Sequence, residues 1–417
     1  MPVLKTNRRD FLRAGGFVAA GGLVASPRPV LAAETIQRSG VPKLKITAVK
    51  TYLLRHKLAR PMGVSVSVPL DKTRQALLVK VETDAGLVGW GETAPISGAR
   101  GTIDDHLRPV LIGQNPLEHR RLWRLMWGPN FGNAMAVGAL DIALNDLRGK
   151  ALNLPVAELF GGRLRDRVPA YASALNYLEG LEPEDQFPKE ATEMVKQGFK
   201  ALKMRIGRYS VAREAKVAAA IRAAVGPNIR LMADGNGAYT MGTALEMGHE
   251  LQKLGFDAFE EPLPEVTPKY AGYEELRQKL PLSLAAGEAV DSRASAKELI
   301  DRRAMDIIQP DVSLCGGIGE ALFIAETAAL SGIQCLPHCW GADILIAATV
   351  HLLALLPDPH WGFPTDTPML ELDQSENPWR NGLAKGALPL VEGFVTVPTK
   401  PGLGIEVDEA VVKKYAV

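Results

Sequence analysis

The chain has 417 residues, of which 47% are hydrophobic and 23% charged, and its formal net charge is +1. This length predicts a sizeable core and more than one structural unit, since domains usually hold about 100 to 200 residues. The balanced charge argues against a nucleic-acid partner, which would need a basic surface. Without C-x-x-C spacing, the cysteines predict neither a disulfide framework nor a zinc cluster, and we expect all three to be packing residues: Cys315, Cys335 and Cys339.

Residues 1–33 are predicted to be an export signal that does not belong to the fold. "TNRRDFLRAGG" is a charged region, "FVAAGGLVA" an apolar region, and "PVLAAE" a small-residue cleavage site near residues 32–33. The stretch resembles a twin-arginine signal, with Arg8, Arg9, Phe11 and Leu12 at the pattern's positions. A basic, disordered N-terminus is the alternative. We expect a periplasmic protein without a membrane span, since no other stretch approaches about 18 apolar residues.

Residues 44–165 are predicted to form an α+β domain. "KITAVKTYLL" and "QALLVKVETDAGLVGWGE" alternate as strands do, with "TDAG" as a hairpin turn. "NAMAVGALDIALNDLRGKALNL" has apolar residues at helical spacing. Strands followed by helices are typical of an α+β unit. The loop "RPMGVSVSVPLDKT" is long and rich in small residues, as lids over active sites often are.

Residues 166–370 are predicted to form a parallel α/β barrel. Short apolar runs alternate seven or eight times with amphipathic helices, which is the pattern of a barrel of strand and helix units. The predicted strands are "VPAYASAL", "ALKMRIG", "IRLMADGN", "AFEEP", "LSLAAGE", "MDIIQPDV" and "IQCLPH".

Polar residues stand at the C-terminal ends of these predicted strands. They follow one another at 23 to 31 residues, about one strand and helix unit: Lys203, Asp234, Glu260, Glu288, Asp311 and His338. Because the C-terminal ends of barrel strands meet at one mouth, we expect these side chains to form a single site.

Three of these residues are carboxylates from successive strands. Asp234, Glu260 and Glu288 cannot stay ionised side by side without a compensating charge, which a divalent cation would supply. An all-oxygen ligand set favours Mg²⁺, with Mn²⁺ as the alternative. Taken singly, each acid could instead be a strand-end residue that pairs with a nearby lysine.

Asp311 and His338 lie on neighbouring predicted strands, so the carboxylate can orient the imidazole and raise its basicity. This arrangement predicts a general base, and the alternative is a histidine satisfied in the core. Glu371 comes 33 residues after His338, at the end of the predicted last strand. It either donates to a substrate oxygen, if burial keeps it protonated, or is a surface acid.

The motifs "KMR", "DGN", "EEP", "GE", "QPD", "PHCW" and "LELDQSENP" resemble the enolase superfamily, mandelate racemase subgroup, over residues 44–417. The resemblance implies a capping domain and a modified (β/α)7β barrel, with residues 371–417 completing the barrel and returning to the cap. It also implies abstraction of the proton α to a carboxylate, giving an enediolate that Mg²⁺ stabilises. The expected substrate is an acid sugar or its lactone, and the expected assembly is a homo-oligomer.

By this resemblance Asp234, Glu260 and Glu288 bind Mg²⁺, and Asp311 and His338 form the basic dyad. Glu371 supports the substrate carboxylate, and Lys203 contacts one oxygen of that carboxylate. Asn236 lies near the substrate. Glu261, the second acid of "EEP", matches no metal position and is expected to be structural. Acid-sugar dehydratases and lactone cycloisomerases have the most similar motifs.

Arg205 departs from the pattern, because the superfamily usually has a second lysine there as a base on the other face of the substrate. An arginine stays protonated at any working pH, so it is a poor base but a good fixed cation. We therefore predict a one-base enzyme in which His338 takes the proton and Arg205 orients the substrate. Elimination or cycloisomerisation is favoured over racemisation.

Two other functions stay open from the sequence. One is a racemase or epimerase of a 2-hydroxy or amino acid derivative, and the other is a non-catalytic periplasmic ligand-binding descendant of the fold. Substrate choice is expected to lie in two cap loops, "RPMGVSVSVPLDKT" and "ETAPISGARGT".

Overall fold

The computed structural model describes residues 42–128, 132–265, 270–358, 367–386 and 388–417. The predicted export signal lies outside these residues. From Lys43 onwards the chain forms one unit. No helix in the described ranges is long and apolar enough to cross a membrane.

The N-terminal part is an antiparallel sheet covered by helices. Its first three strands are β1 (Ile46–Gly63), β2 (Asp71–Thr83) and β3 (Val88–Thr93), in the order β3-β2-β1, and a short strand from later in the chain, β5 (Tyr177–Leu178), pairs with β1 at the edge. The helices are α1 (Ala99–Gly101), a π-helical stretch (Thr102–Leu107), α2 (Arg108–Leu111), α3 (His119–Trp127), α4 (Ala134–Leu152) and α5 (Val156–Leu159). Gly89 and Gly91 of β3 let helix α4 approach closely, since a Cβ at either would stand about 2 Å from a backbone oxygen of α4.

The C-terminal part is a barrel of parallel strands. The strands from β4 to β12 are β4 (Arg167–Ser173), β5 (Tyr177–Leu178), β6 (Ala201–Arg205), β7 (Arg230–Asp234), β8 (Ala258–Glu260), β9 (Ser283–Ala286), β10 (Ile307–Ile308), β11 (Gln334–Cys335) and β12 (Leu370–Asp373). All of them except β5 belong to the barrel, and β12 pairs in parallel with β4, so the last strand joins the first. The predicted strands are thus confirmed.

The helices between barrel strands are α6 (Pro183–Lys196), α7 (Val211–Val225), α8 (Met241–Lys253), α9 (Tyr273–Lys279), α10 (Arg293–Arg302), α11 (Ile318–Leu330) and α12 (Asp343–Leu355). Within the described part of the chain, eight barrel strands therefore alternate with seven helices, as the (β/α)7β prediction requires.

The inside of the barrel is closed by an apolar layer to which every barrel strand or its flanking residue contributes one side chain. We call this layer the barrel floor, and it consists of Tyr171, Ala201, Met232, Ala258, Ala285, Ile307, Leu336 and Met369. Such layers of inward side chains are how small parallel barrels fill their interior.

The end of the chain returns to the N-terminal sheet. After β12 come β13 (Ala384–Lys385), β14 (Leu390–Val391), β15 (Phe394–Thr396), β16 (Glu406–Val407) and α13 (Glu409–Tyr415). The backbone N–H of Val417 donates to the Leu53 carbonyl at 2.9 Å, and Lys80 pairs with Glu409 at 2.6 Å. All three cysteines are buried and free, as expected of packing residues.

Candidate active site

Five of the predicted site residues stand one layer above the barrel floor. Side chains two residues apart on a strand share a face, so the residue two positions after each floor residue also points inward. This counting reaches Lys203, Asp234, Glu260, His338 and Glu371. It also reaches two residues that the sequence reasoning missed, Ser173 and Gln309, which are 0% and 1% exposed. Continuing the two-residue period along each predicted strand would have found them.

Lys203 is fully buried at the centre of this layer. Its Nζ lies 2.6 Å from Glu260 Oε1, 2.7 Å from Glu371 Oε1 and 3.3 Å from Asp234 Oδ2. Burial by itself lowers the pKa of Lys203, but Glu260 and Glu371 outweigh it and hold the pKa well above its ordinary value. Lys203 is therefore a fixed cation at the base of the site.

Arg205 lies on the same face of β6, nearer the mouth. Its guanidinium pairs with Asp234, donates to Asn236 Oδ1 at 3.2 Å, and lies 5.2 Å from the ring centroid of Trp340. Burial lowers the pKa of Arg205, and Asp234 more than offsets it, so the net pKa is raised. The guanidinium Nε is buried without a hydrogen-bond partner among the described residues, which leaves one donor for a ligand.

His338 and Asp311 meet as predicted. His338 Nδ1 lies 2.8 Å from Asp311 Oδ2, while Nε2 lies 3.3 Å from Glu288 Oε2. Ser313 fixes Asp311 through its backbone N–H and its hydroxyl, at 2.6 and 2.7 Å. Burial lowers the pKa of His338, but Glu288, Glu371 and Asp311 raise it to about 10. The imidazole is thus oriented by one carboxylate and made strongly basic by several.

Both readings of Glu371 need correction. It is fully buried, so it is not a surface acid. Burial raises its pKa, but Lys203, His338 and Arg205 outweigh that effect and hold the pKa well below its ordinary value, so it is ionised and not protonated. Its Oε2 accepts from the Cys339 backbone N–H at 3.1 Å. Glu371 therefore holds Lys203 and the loop after β11 as a carboxylate.

Asn236 and Glu261 form a linked pair beside Arg205. Asn236 Nδ2 donates to Glu261 Oε2 at 3.2 Å, and both residues have positive φ, at 42° and 41°. Burial raises the pKa of Glu261 well above its ordinary value, with Glu288 and Glu265 adding to the effect. Glu261 thus orients Asn236, as a residue with a structural role would.

The three predicted metal ligands do not point to one centre. Asp234 and Glu260 turn to Lys203, and Glu288 turns to His338. Within the described ranges, no group of three or more His, Cys, Asp or Glu side chains is arranged to hold a metal ion. The physical reason is that like charges cannot converge unless a cation lies between them, so each carboxylate faces a cationic side chain.

The charge balance nevertheless fits a divalent cation. Of the residues predicted for the site, five are carboxylates (Asp234, Glu260, Glu288, Asp311 and Glu371) and three are cationic or strongly basic (Lys203, Arg205 and His338). Two negative charges are left over when His338 is protonated and three when it is the neutral base, and one Mg²⁺ would compensate two of them. Burial raises the pKa of Glu260 to about 8 against the pull of Lys203, with Asp234 raising it further, as expected of an acid short of positive charge. The donor set therefore fits Mg²⁺.

The loop predicted as a lid lies against the mouth of the barrel. Ser67 Oγ donates to the Asn236 carbonyl at 2.7 Å, and the Val66 N–H donates to the Gly207 carbonyl at 3.0 Å. Arg208 holds the same loop through the Ser65 carbonyl at 3.0 Å. The loop thus contacts the ends of β6 and β7, next to Arg205.

Comparison with known proteins agrees with this architecture. Residues 47–161 match the mandelate racemase / muconate lactonizing enzyme N-terminal domain, and residues 186–411 match the enolase C-terminal domain-like family. The chain is 35% identical over 379 residues to the D-galactarolactone cycloisomerase of Agrobacterium fabrum, which covers 89% of this chain and 99% of the relative.

Two further relatives are named as a dehydratase and a cycloisomerase. An arabinonate dehydratase of Saccharolobus solfataricus is 31% identical over 350 residues, 82% of this chain and 90% of the relative. The crystal structure of the 3,6-anhydro-D-galactonate cycloisomerase of Zobellia galactanivorans superimposes with a TM-score of 0.79 at 35% identity, over 89% of this chain and 99% of that one. Members of the superfamily typically use Mg²⁺. The chain is an enzyme and belongs to the enolase superfamily, in its mandelate racemase and muconate lactonizing enzyme branch.

Proposed function

We propose that the enzyme removes the proton α to the carboxylate of an acid sugar or its lactone and then breaks the C–O bond at the β carbon. The observation that carries this proposal is the oriented His338–Asp311 pair, which shares the barrel mouth with two fixed cations and an excess of carboxylates. A base beside concentrated positive charge is what formation of an enediolate requires. The names of the relatives support the substrate class.

Asp234, Glu260 and Glu288 would hold Mg²⁺. A divalent cation bound there would neutralise charge that develops on the substrate carboxylate, and it would engage the Glu288 carboxylate that otherwise faces His338. The chain's own residues supply the rest. Lys203 Nζ lies 2.6 Å from Glu260 and 3.3 Å from Asp234, and it would be freed to bind an oxygen of the substrate carboxylate once those two acids hold the cation.

Neutral His338 takes the α-proton at Nε2, because Nδ1 is held by Asp311. A cation held by Glu288 would remove part of the negative charge that raises the pKa of the imidazole, and so would favour this neutral form. With an acid sugar, the β-hydroxyl leaves as hydroxide and takes a proton from the imidazolium, and the resulting enol becomes a 2-keto-3-deoxy acid. With a lactone whose ring oxygen is on the β carbon, that oxygen leaves as a carboxylate and needs no proton. Atoms balance in both cases, as loss of water or as isomerisation.

Arg205 supports elimination over racemisation. Racemisation in this fold needs a base on each face of the substrate, and the guanidinium stays charged beside Asp234. Its unpaired Nε–H is free to bind a substrate oxygen. The racemase or epimerase alternative is therefore disfavoured for this chain.

The test is a screen of acid sugars, their lactones and simple 2-hydroxy acids with Mg²⁺ in D₂O, followed by proton NMR. We expect a 2-keto-3-deoxy product with deuterium at C3, because the α carbon becomes the keto carbon and the enol takes its new hydrogen from D₂O at C3. Recovered substrate that was reprotonated should carry deuterium at its α carbon. A 2-keto-3-deoxy product from the free acid marks a dehydratase, and one from the lactone marks a cycloisomerase. Inversion of a 2-hydroxy acid without elimination would contradict the proposal.

We also propose that residues 1–33 export the folded enzyme by the twin-arginine route to the periplasm. The support is the Arg8–Arg9 pair before an apolar stretch. Replacing both arginines with lysine should retain the full-length protein in the cytoplasmic fraction, where immunoblotting of cell fractions would detect it. Processed wild-type protein in the cytoplasm would contradict the export proposal.

We further propose a homo-oligomer, for which the exposed Phe323 and Leu330 on α11 are candidate contacts. Light scattering coupled to size-exclusion chromatography measures the mass, and a monomer would contradict this proposal.

A further inference from the structure

The last two residues of strand β3, in the cap, contact the two barrel loops that carry the His338–Asp311 pair. Glu92 and Thr93 are 1% and 2% exposed. They lie far from both loops in sequence, and sequence reasoning placed them only at the start of a loop for substrate choice. Their side chains leave the cap in different directions, one to each loop.

Glu92 contacts the loop that follows β11 and carries His338. Its Oε1 accepts from the Ala342 N–H at 2.6 Å, and its Oε2 accepts from the Leu345 N–H at 2.9 Å. These N–H groups belong to the start of helix α12, whose own N-cap residue, Ala342, has no capping side chain. Glu92 therefore caps this helix from the other domain, where the helix dipole favours a carboxylate.

Glu92 packs closely against Gly341. A Cβ on Gly341 would lie 2.8 Å from Glu92 Oε1, closer than real contacts allow. A buried carboxylate costs free energy unless it is hydrogen-bonded, and both oxygens of Glu92 are used on this one helix end. The position of the helix start, five residues after His338, is thus tied to the cap.

Thr93 contacts the other loop, which follows β10 and carries Asp311. Its Oγ1 donates to the Ser313 carbonyl at 3.2 Å. Ser313 in turn donates through its N–H and hydroxyl to Asp311 Oδ1. A second cap residue, Asp141 of α4, accepts from the Ile318 N–H at 2.8 Å at the far end of the same loop.

We infer that Glu92 and Thr93 are positioning residues for proton abstraction: the cap sets the geometry of the His338–Asp311 pair by holding the loop of each partner from one strand end. This inference rests on the proposed function, because it assigns His338 the role of base. The cap would then contribute to the reaction itself as well as to the choice of substrate.

Glu92→Gln keeps the shape of the side chain but turns one acceptor into a donor, so one helix N–H loses its partner. Because a displacement of about 1 Å in a reacting group can cost about 100-fold, we expect kcat for α-proton exchange to fall about 100-fold. KM and Mg²⁺ affinity should change less than about threefold, since the contacts of Glu92 described above do not include Lys203 or the predicted metal ligands.

Asp146→Asn is the matched control. Asp146 is also a buried carboxylate that accepts from two backbone N–H groups of different segments, those of Trp90 at 3.0 Å and Leu403 at 2.9 Å, and it differs from Glu92 in also pairing with Lys150 at 2.7 Å. This variant should lose stability as Glu92→Gln does but keep kcat per folded molecule. Equal losses of kcat in the two variants would overturn the inference, because a general structural role would then suffice.

Thr93 gives an independent test that does not disturb a buried charge. Thr93→Val should lower kcat about tenfold, and Thr93→Ser, which keeps the hydroxyl, should restore it. Thr47→Val is the control, because Thr47 donates to the Glu82 carbonyl at the same 3.2 Å but in the cap alone. Wild-type kcat in Thr93→Val would overturn the role of Thr93.

Amide hydrogen exchange by mass spectrometry needs no substrate and separates this inference from the proposed function. Peptides covering residues 309–316 should exchange faster in Thr93→Val, and those covering 336–346 faster in Glu92→Gln, with neither faster in Asp146→Asn. If wild type acts on no sugar acid, the proposed function fails, while this measurement still tests whether Glu92 and Thr93 hold the two loops. Unchanged exchange in both peptides would show that they do not, and would overturn the inference.

Discussion

The surroundings of two buried histidines, His338 and His351, differ in the charge around each imidazole. His338 faces Asp311 and Glu288, and its pKa is raised to about 10 although burial lowers it. Within the described residues, the hydrogen-bond partners of His351, on helix α12, are backbone groups: its Nδ1 accepts from the Ala157 N–H at 3.3 Å, and its Nε2 lies 3.2 Å from the Leu403 carbonyl.

Burial lowers the pKa of His351 to about 4, and the charge of Arg163 acts in the same direction. Burial acts in the same direction on both imidazoles, so it does not distinguish a base from a core histidine. The carboxylates at the ends of neighbouring strands, which face His338, distinguish the base from the core histidine. His351 is the satisfied core histidine that was the alternative for His338.

The largest expected difference between the two histidines is in catalysis. His338→Asn should lower the rate of α-proton exchange into D₂O about 10²- to 10⁴-fold, the range that a general base contributes. His351→Asn, compared per folded molecule, should leave that rate unchanged. Proton NMR of a substrate from the screen measures both, and persistent exchange in His338→Asn would remove it from the role of base.

The next effect is on stability and concerns His351. Because its folded pKa lies below the ordinary value of 6.5, its contribution is present above pH 6.5 and is lost as pH falls towards 4. The loss reaches about 3 kcal/mol at roughly 1.4 kcal/mol per pH unit. Urea unfolding at pH 7.5 and 4.5 should show this difference in wild type and a smaller one in His351→Gln. An equal pH dependence in both proteins would contradict the assignment.

Mg²⁺ is expected to bind beside His338 and not beside His351, so its effect on stability should depend on the residues around His338. At about 100 times its Kd, a ligand that binds only the folded state adds about 2.7 kcal/mol to the unfolding free energy. We expect a matching rise in thermal midpoint for wild type and His351→Gln, and almost none for Asp234→Asn. A full rise in Asp234→Asn would place the cation elsewhere.

The smallest effect concerns the face of the substrate opposite His338. Arg205→Lys introduces a group whose pKa can be lowered into the working range, so it can act as a second base. We expect the rate of elimination to fall about tenfold, because a lysine ammonium is less rigidly oriented than the guanidinium of Arg205. We also expect deuterium to enter the α carbon in both configurations. Strictly one-sided exchange would show that position 205 does not face the α carbon.

Much of the site could be predicted from the sequence because two periods act together. Side chains alternate along each strand, and strands recur about every 23 to 31 residues, so Lys203, Asp234, Glu260 and His338 had to share a face and a mouth. Contacts between neighbouring strands, such as Asp311 with His338, follow from the same rule.

The sequence by itself therefore determined the fold class, the barrel mouth and most of the residues that line it, because local spacing dictates strand direction and facing. Only the tertiary structure decided the ionisation of Glu371, which depends on how closely Lys203 approaches it. The same holds for the contact between Glu92 and the start of helix α12, where Ala342 lies 250 residues further along the chain. Charge and contact between distant segments depend on distances in space, and no period in the chain encodes those distances.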